Sequence, residues 1–269
     1  MNAWPLPSGA ELVSRIIHRE PGFLVIDKPP GLVSAGPPRQ IHGEPAPRQS
    51  VESLLVAALG RQVWAVHQLD RLTTGLNVFA LKSSMVAPLS ERLKTPGAKR
   101  YLAIVHGHPR APQRIEVPLG TAVHPRTGKT HPAIATSDIS ISKTIASTRS
   151  ATPRDQTTSR YALTHLLRAI PTPELTPEGD PAPAFSWVEV ALETGRQHQV
   201  RLHLAHLGHP LVGEPLHREP PCELHPRQAL HAWRLTLPAT PTMAALDLVA
   251  PIPGDLIALA IRLGLPPEP

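Results

Sequence analysis

Apolar positions in this chain come in short runs separated by turn residues, and their spacing predicts alternating strands and helices. Phe23-Leu24-Val25-Ile26 follows Pro21-Gly22 and runs into Asp27-Lys28-Pro29-Pro30-Gly31, which predicts a buried strand entering a tight loop. Val51, Leu54, Leu55, Ala58 and Leu59 recur at helical spacing between Ser50, a natural N-cap, and Gly60, a natural terminator. Val63 to Val66 predicts a strand that delivers a loop around Asp70, and Leu76 to Leu81 the strand that returns. Ser84 opens a helix with Val86, Leu89 and Leu93 inward and Pro88 near its start. Lys99 to Gly107 and Tyr161 to Leu166 predict strands, as does the alternation of Val188, Val190 and Leu192 within 186–192. Thr194 and Gln197 have capping-box spacing ahead of Val200, Leu204 and Leu207, a helix that Gly208 and Pro210 stop. Leu230 to Leu237 predicts a late strand, and Asp255 to Leu263 a terminal helix. The stretch 36–47 is rich in Pro and Gly, 132–158 in Ser and Thr, and 171–184 carries five prolines. These spans predict loops, long and mobile across 132–185.

Composition narrows the class. The 269 residues, 41% hydrophobic and 18% charged, suit one globular catalytic-size domain with a substantial core. A formal charge of +6 favours an anionic partner without requiring one. Cys222 is the only cysteine, so neither an intrachain disulfide nor a cysteine-based zinc site is possible. The opening Met1-Asn2-Ala3-Trp4-Pro5 has no charged segment followed by an apolar run, and no stretch is apolar enough to span a bilayer. The expectation is a cytoplasmic protein with no membrane partner.

The candidate chemistry sits in two segments far apart in the chain. His67-Gln68-Leu69-Asp70-Arg71-Leu72-Thr73-Thr74-Gly75 holds one carboxylate in a turn, and Glu193 to Leu204 clusters Arg196, His198, Arg201 and His203. An aspartate in a loop is ordinarily a turn former or cap. Its order among other segments argues for more. Asp27 to Leu32, the Asp70 segment, Lys99-Arg100-Tyr101-Leu102-Ala103 and Thr194 to His209 follow one another as motifs do in the RluA-type RNA pseudouridine synthases, which this chain resembles from about Val13 to its C-terminal helix. Gly208 to Gly213, Arg227 to Ala232 and Ala250-Pro251-Ile252-Pro253 agree with that resemblance.

The resemblance implies an α+β fold, a mixed and mainly antiparallel sheet flanked by helices with a central cleft. It implies isomerisation of uridine to pseudouridine in structured RNA, tRNA or rRNA. No metal or organic cofactor is implied, since uracil is both leaving and returning group. Asp70 takes the catalytic position, as nucleophile on the sugar or as the group that deprotonates it. Tyr101 is implied to stack on the base and to approach its C5 proton, and Arg201 to hold Asp70 ionised and aimed. Leu69, Thr74, Val200, Gly195, Arg196 and His198 are implied to line the substrate, with Val200 under the base. Gln68 stands where family members usually carry an arginine, so the way a base is flipped is in question. Glu214 replaces a usual aspartate, which predicts a locally different loop.

Other readings compete. His203, His206 and His209 are three residues apart, but His209 lies beyond Gly208 and a zinc site would need another ligand. A non-catalytic RNA-binding module on the same fold is the alternative that Gln68 keeps open. A carboxylate-dependent hydrolase would need a second acid beside Asp70, for which Asp27 is the candidate. Lys94, Lys99, Arg100, Arg110, Arg114, Arg126 and Lys129 are candidates for phosphate contacts. The family-like core begins near Val13, so no N-terminal S4-type domain is expected, and the chain is expected to act as a monomer.

Overall fold

A computed structural model describes residues 4–36, 49–123, 130–135, 159–174 and 183–269. Arg126, Lys129, most of 36–47 and much of the 132–185 span lie outside them. Within that span, 132–134, 163–171 and 185 are strand.

The apolar runs build a ten-stranded sheet. In chain order its strands are β1 (Ile16–Arg19), β2 (Phe23–Lys28), β3 (Trp64–Ala65), β4 (Thr74–Ala80), β5 (Lys99–His106) and β6 (Gln113–Glu116), then β9 (Leu163–Pro171), β10 (Phe185–Leu192), β11 (Leu230–Leu237) and β12 (Leu246–Val249). The hairpin β7 (Leu119–Val123) and β8 (Thr130–Ile134) stands apart as a two-stranded sheet. Spatial order is β1-β2-β4-β11-β5-β10-β9-β6, with β12 on β11 and β3 on β4. All pairings are antiparallel except β4 with β11, which run parallel with His231 opposite Thr74 and Ala232 opposite Gly75. This parallel seam joins the two halves of the sheet.

Gly75 is there because nothing else fits. Its φ is +106°, and a Cβ would lie 2.2 Å from the Ala232 carbonyl oxygen. Any side chain would force the seam apart. Because β4 and β11 are parallel, the loops leading into both, with Asp70 before one and Arg227 before the other, meet at the same end of the sheet.

Helices cover the sheet: α1 (Gly9–Ser14), α2 (Val51–Leu59), α3 (Val86–Arg92), α4 (Gln199–His206) and α5 (Gly254–Arg262). Ser50 caps α2 and Gly60 ends it in the left-handed conformation, as the sequence predicts. Leu12 of α1 packs with Val51 and Leu55 against Leu24, Ile26 and Phe79. α5 sets Leu256, Leu259 and Ala260 against Leu102, Ile104 and Trp187. Val200 and Leu204 of α4 close a core with Leu69, Tyr101, Val190 and Leu230 directly beneath the Asp70 loop.

Three expected boundaries shift for physical reasons. Ser84 does not cap α3, since a 3-10 turn at Ser83–Met85 precedes it. The strand expected at Tyr161–Leu166 starts later and extends to Pro171, where β10 supplies a partner along its length. The capping box of Thr194 and Gln197 does not form. α4 starts at Gln199, whose buried side chain accepts from the Arg196 N–H and the Thr194 hydroxyl, both at 2.9 Å.

Candidate active site

Asp70 sits in a turn before β4, where the Thr73 N–H donates to its carbonyl at 3.0 Å. Four residues of this turn are gripped one after another. The Asp70 carboxylate accepts from Arg201 Nη1 at 3.1 Å. The Arg71 carbonyl accepts from Lys28 Nζ at 3.1 Å and from the Gly31 N–H at 2.9 Å. The Leu72 carbonyl accepts from Arg227 Nη1 at 3.2 Å, and the Thr73 hydroxyl from Gln228 at 3.4 Å. Lys28, Arg201 and Arg227 are all buried, so these contacts are shielded from water and the loop has little freedom to move.

Arg201 is the pivot. It is 3% exposed and forks onto Glu214, with Nε to Oε2 at 2.9 Å and Nη2 to Oε1 at 2.7 Å. Burial works against its charge, but Glu214 and Asp70 outweigh burial and raise its pKa. Glu214 is wholly buried. Burial pushes its pKa up, yet the Arg201 fork, the electrostatic pull of His217 and the Leu216 N–H overcome that and hold it at about 2. Glu214 is therefore an ionised anchor and no proton donor. The unusual residue expected only to alter a loop is what orients Arg201.

With both Glu214 bonds fixed, Arg201 has one nitrogen on one oxygen of Asp70, leaving Oδ1 open toward His198 Nε2 at 3.8 Å. Asp70 is about a quarter exposed, enough to meet a substrate. Tyr101 lies below it on β5, almost buried, and burial followed by the Asp70 charge pushes its phenol pKa well up. Val200 and Leu69 are buried in the same apolar floor.

Other expected residues fall differently. The Gln68 side chain is exposed, and its carbonyl accepts from the Ala35 N–H at 3.3 Å. Arg196 reaches the Tyr161 carbonyl at 2.9 Å, and Gly195 is exposed beside Lys99. Thr74 is buried, with its hydroxyl 2.9 Å from His231 Nδ1 across the seam. Asp27 pairs with Arg15 at 3.2 Å, so the second acid of a hydrolase is not supplied from there. His203 bonds Thr164 and the Val117 carbonyl, and no group able to hold a metal occurs among the described residues. Lys94, Arg100 and Arg114 are engaged with Glu91, Glu189 and Glu116. No described helix is long and apolar enough to cross a membrane.

Three residues have no role in the site from the sequence alone, although Lys28 lies within a motif and Glu214 stands out as a substitution. Lys28 has three carbonyl oxygens within 3.1 Å, those of Pro29, Leu32 and Arg71, which match the three N–H groups of an ammonium. Burial, then Arg227, lowers its pKa to about 7. Glu214 and His217 come from an irregular loop with no periodic signal; only the charge of Glu214 beside the Gly208–Gly213 motif hinted at a partner.

The comparisons with known proteins agree with one another. A family model described as RNA pseudouridylate synthase matches residues 22–206. The ribosomal large subunit pseudouridine synthase D of Nitrosomonas europaea is 31% identical over 267 residues, covering 92% of this chain and 65% of its own. The tRNA pseudouridine synthase C of Haemophilus ducreyi is 27% identical over 204 residues, covering 74% and 72%. The chain spans 68%, 65% and 63% of the length of three curated relatives that it matches strongly. Among solved structures, human RNA pseudouridylate synthase domain containing 4 shares the fold with a TM-score of 0.64 at 21% identity, over 95% of each chain.

Proposed function

The chain belongs to the RNA pseudouridylate synthase family, and from that premise we propose that it isomerises uridine to pseudouridine in structured RNA with Asp70 as its catalytic carboxylate. The observation that carries this reading is the buried Glu214–Arg201–Asp70 chain, which fixes one carboxylate oxygen and leaves the other open. Arg201 holds and aims the Asp70 carboxylate, as attack on the sugar or removal of its proton requires. Tyr101 and Val200 form the apolar floor on which the base rests. The uracil released from N1–C1′ turns on that floor and rejoins through C5, so no metal or organic cofactor enters the scheme. The substrate is tRNA or rRNA, the two classes named among the relatives.

The test is tritium release from tRNA and rRNA transcripts labelled at uridine C5. Wild-type protein releases tritium from one class, and Asp70→Asn, which keeps shape and loses the charge, releases none. Equal release by wild type and variant would remove Asp70 from the reaction.

A further inference from the structure

His198 is the one non-glycine residue with positive φ among the described residues, at 56°. A residue bearing a Cβ carries backbone strain in that conformation, and His198, the N-cap of α4, makes no side-chain bond to the helix in return. What the strained backbone achieves is the placement of an imidazole. Nε2 of His198 faces Asp70 Oδ1 at 3.8 Å, and its Nδ1 lies 2.8 Å from Nε2 of His217. The rings meet edge to face with centroids 5.1 Å apart. The His217 N–H donates to Glu214 Oε1 at 3.1 Å, so the carboxylate that orients Arg201 also places His217. Asp70, Arg201, Glu214 and His131 are the charged or titratable groups facing the pair. His198 is nearly enclosed, while His217 is partly open to solvent.

The chemistry has an unfilled role at this point. Once uracil rejoins the sugar through C5, that carbon carries both hydrogen and sugar. The C5–H bond must break, its electron pair forming the C5–C6 double bond while the C6–N1 pair moves onto N1, which takes up a proton. Tyr101 is a poor acceptor, being buried and held as the phenol. Resting on the pseudouridine-synthase reading above, we propose that His198 accepts the C5 proton at Nε2 and passes its Nδ1 proton to His217, which releases one to solvent. Both rings remain neutral at the end of the transfer. The relay runs back when N1 takes its proton, so the net change is one proton moved from C5 to N1. Burial supports a neutral acceptor, lowering His198 to about 4 and His217 to about 3.

The test is single-turnover conversion of the transcript on which wild-type protein is active, prepared with hydrogen or deuterium at uridine C5. His198→Asn is suited to it, because asparagine tolerates positive φ and cannot carry the proton. The expected result is a rate about 100-fold lower together with a primary deuterium effect larger than in wild type, as C5–H cleavage becomes the slow step. His217→Gln, which keeps an acceptor toward His198 Nδ1 but cannot take the proton, raises the isotope effect with a smaller loss and serves if His198→Asn does not fold. Slowing that is equal for both isotopes in both variants would overturn the relay and reduce the pair to a support for Asp70. Inactivity of Asp70→Asn alongside that outcome leaves the proposed function standing; full activity of Asp70→Asn defeats the function itself.

Discussion

Arg201 and Arg227 are built alike and used differently. Each is almost fully buried, at 3% and 1% exposure, and each forks onto one carboxylate, Glu214 or Asp255. Each then turns Nη1 toward the same loop. Arg201 meets the Asp70 carboxylate, whereas Arg227 meets the Leu72 carbonyl and those of Gln228 and Leu230. The Arg227 pair is neutral in sum and grips backbone. The Arg201 cluster has two carboxylates on one guanidinium, so a negative charge is left over, on the side chain that can react. One device thus serves twice, once to place the loop and once to hold its charge.

Removing Arg201 should separate the two most sharply. Arg201→Ala strands Glu214 without its counter-ion in a site closed to water, which costs about 3–5 kcal/mol. A fall in Tm together with loss of tritium release is expected. Arg201→Lys keeps a charge but cannot fork, and should remain folded while losing most activity. A lysine variant of near wild-type rate would show that the fork is unnecessary.

Glu214→Gln comes next. The Glu214 pKa is held at about 2, against an ordinary 4.5, so its stabilising contribution is complete above pH 4.5 and is lost as pH falls from there toward 2. The wild-type Tm should therefore drop over that window, and the drop should be shallower in Glu214→Gln. At neutral pH the variant should lose about 100-fold in kcat, because Arg201 is free to swing and misplace Asp70. An unchanged acid limb would mean that other carboxylates, Asp255 among them, dominate.

What the sequence made legible follows from where each partner lies along the chain. Asp70, Tyr101 and Arg201 stand in ordered motifs, and α2 with its Ser50 cap and Gly60 end announces itself through local hydrogen bonds. Glu214 and His217 act on residues in other elements from an aperiodic loop, so no spacing rule reaches them. Lys28 sits in an apolar strand, and its burial makes sense only once carbonyls from two loops surround it. The Thr194 and Gln197 spacing misled because the helix begins later, at Gln199 with His198 at its N-cap, and the Thr194 hydroxyl is spent on the Gln199 side chain, which also bonds the Leu163 carbonyl and Thr164. β6 went unseen because it buries only Ile115 and is an edge strand.

Asp255→Asn tests the positioning arm of the comparison. Asp255 is held well below the usual carboxylate range: burial would raise it, but His225 and Arg227 outweigh burial. Its stabilisation is present above that range and fades as pH falls through it. The amide can keep one bond to Arg227 and loses the charge, so stability should fall by about 2 kcal/mol and kcat by less than about tenfold. A loss as large as that of Glu214→Gln would show that backbone placement matters as much as the charge on Asp70.

The smallest effect belongs to Thr74, which the motif places beside the substrate and the fold places at the seam. Its hydroxyl bonds His231 Nδ1 at 2.9 Å, and burial, then Arg227, lowers that ring to about 4 and keeps it neutral at pH 7. Thr74→Val retains the shape and removes one neutral hydrogen bond, which costs about 1 kcal/mol. The expected result is a modest fall in Tm with KM and kcat unaltered, because the hydroxyl is buried and spent on His231. A raised KM with an unchanged Tm would put the hydroxyl back in the cleft, and would make β4 part of the binding surface rather than the spine that carries Asp70.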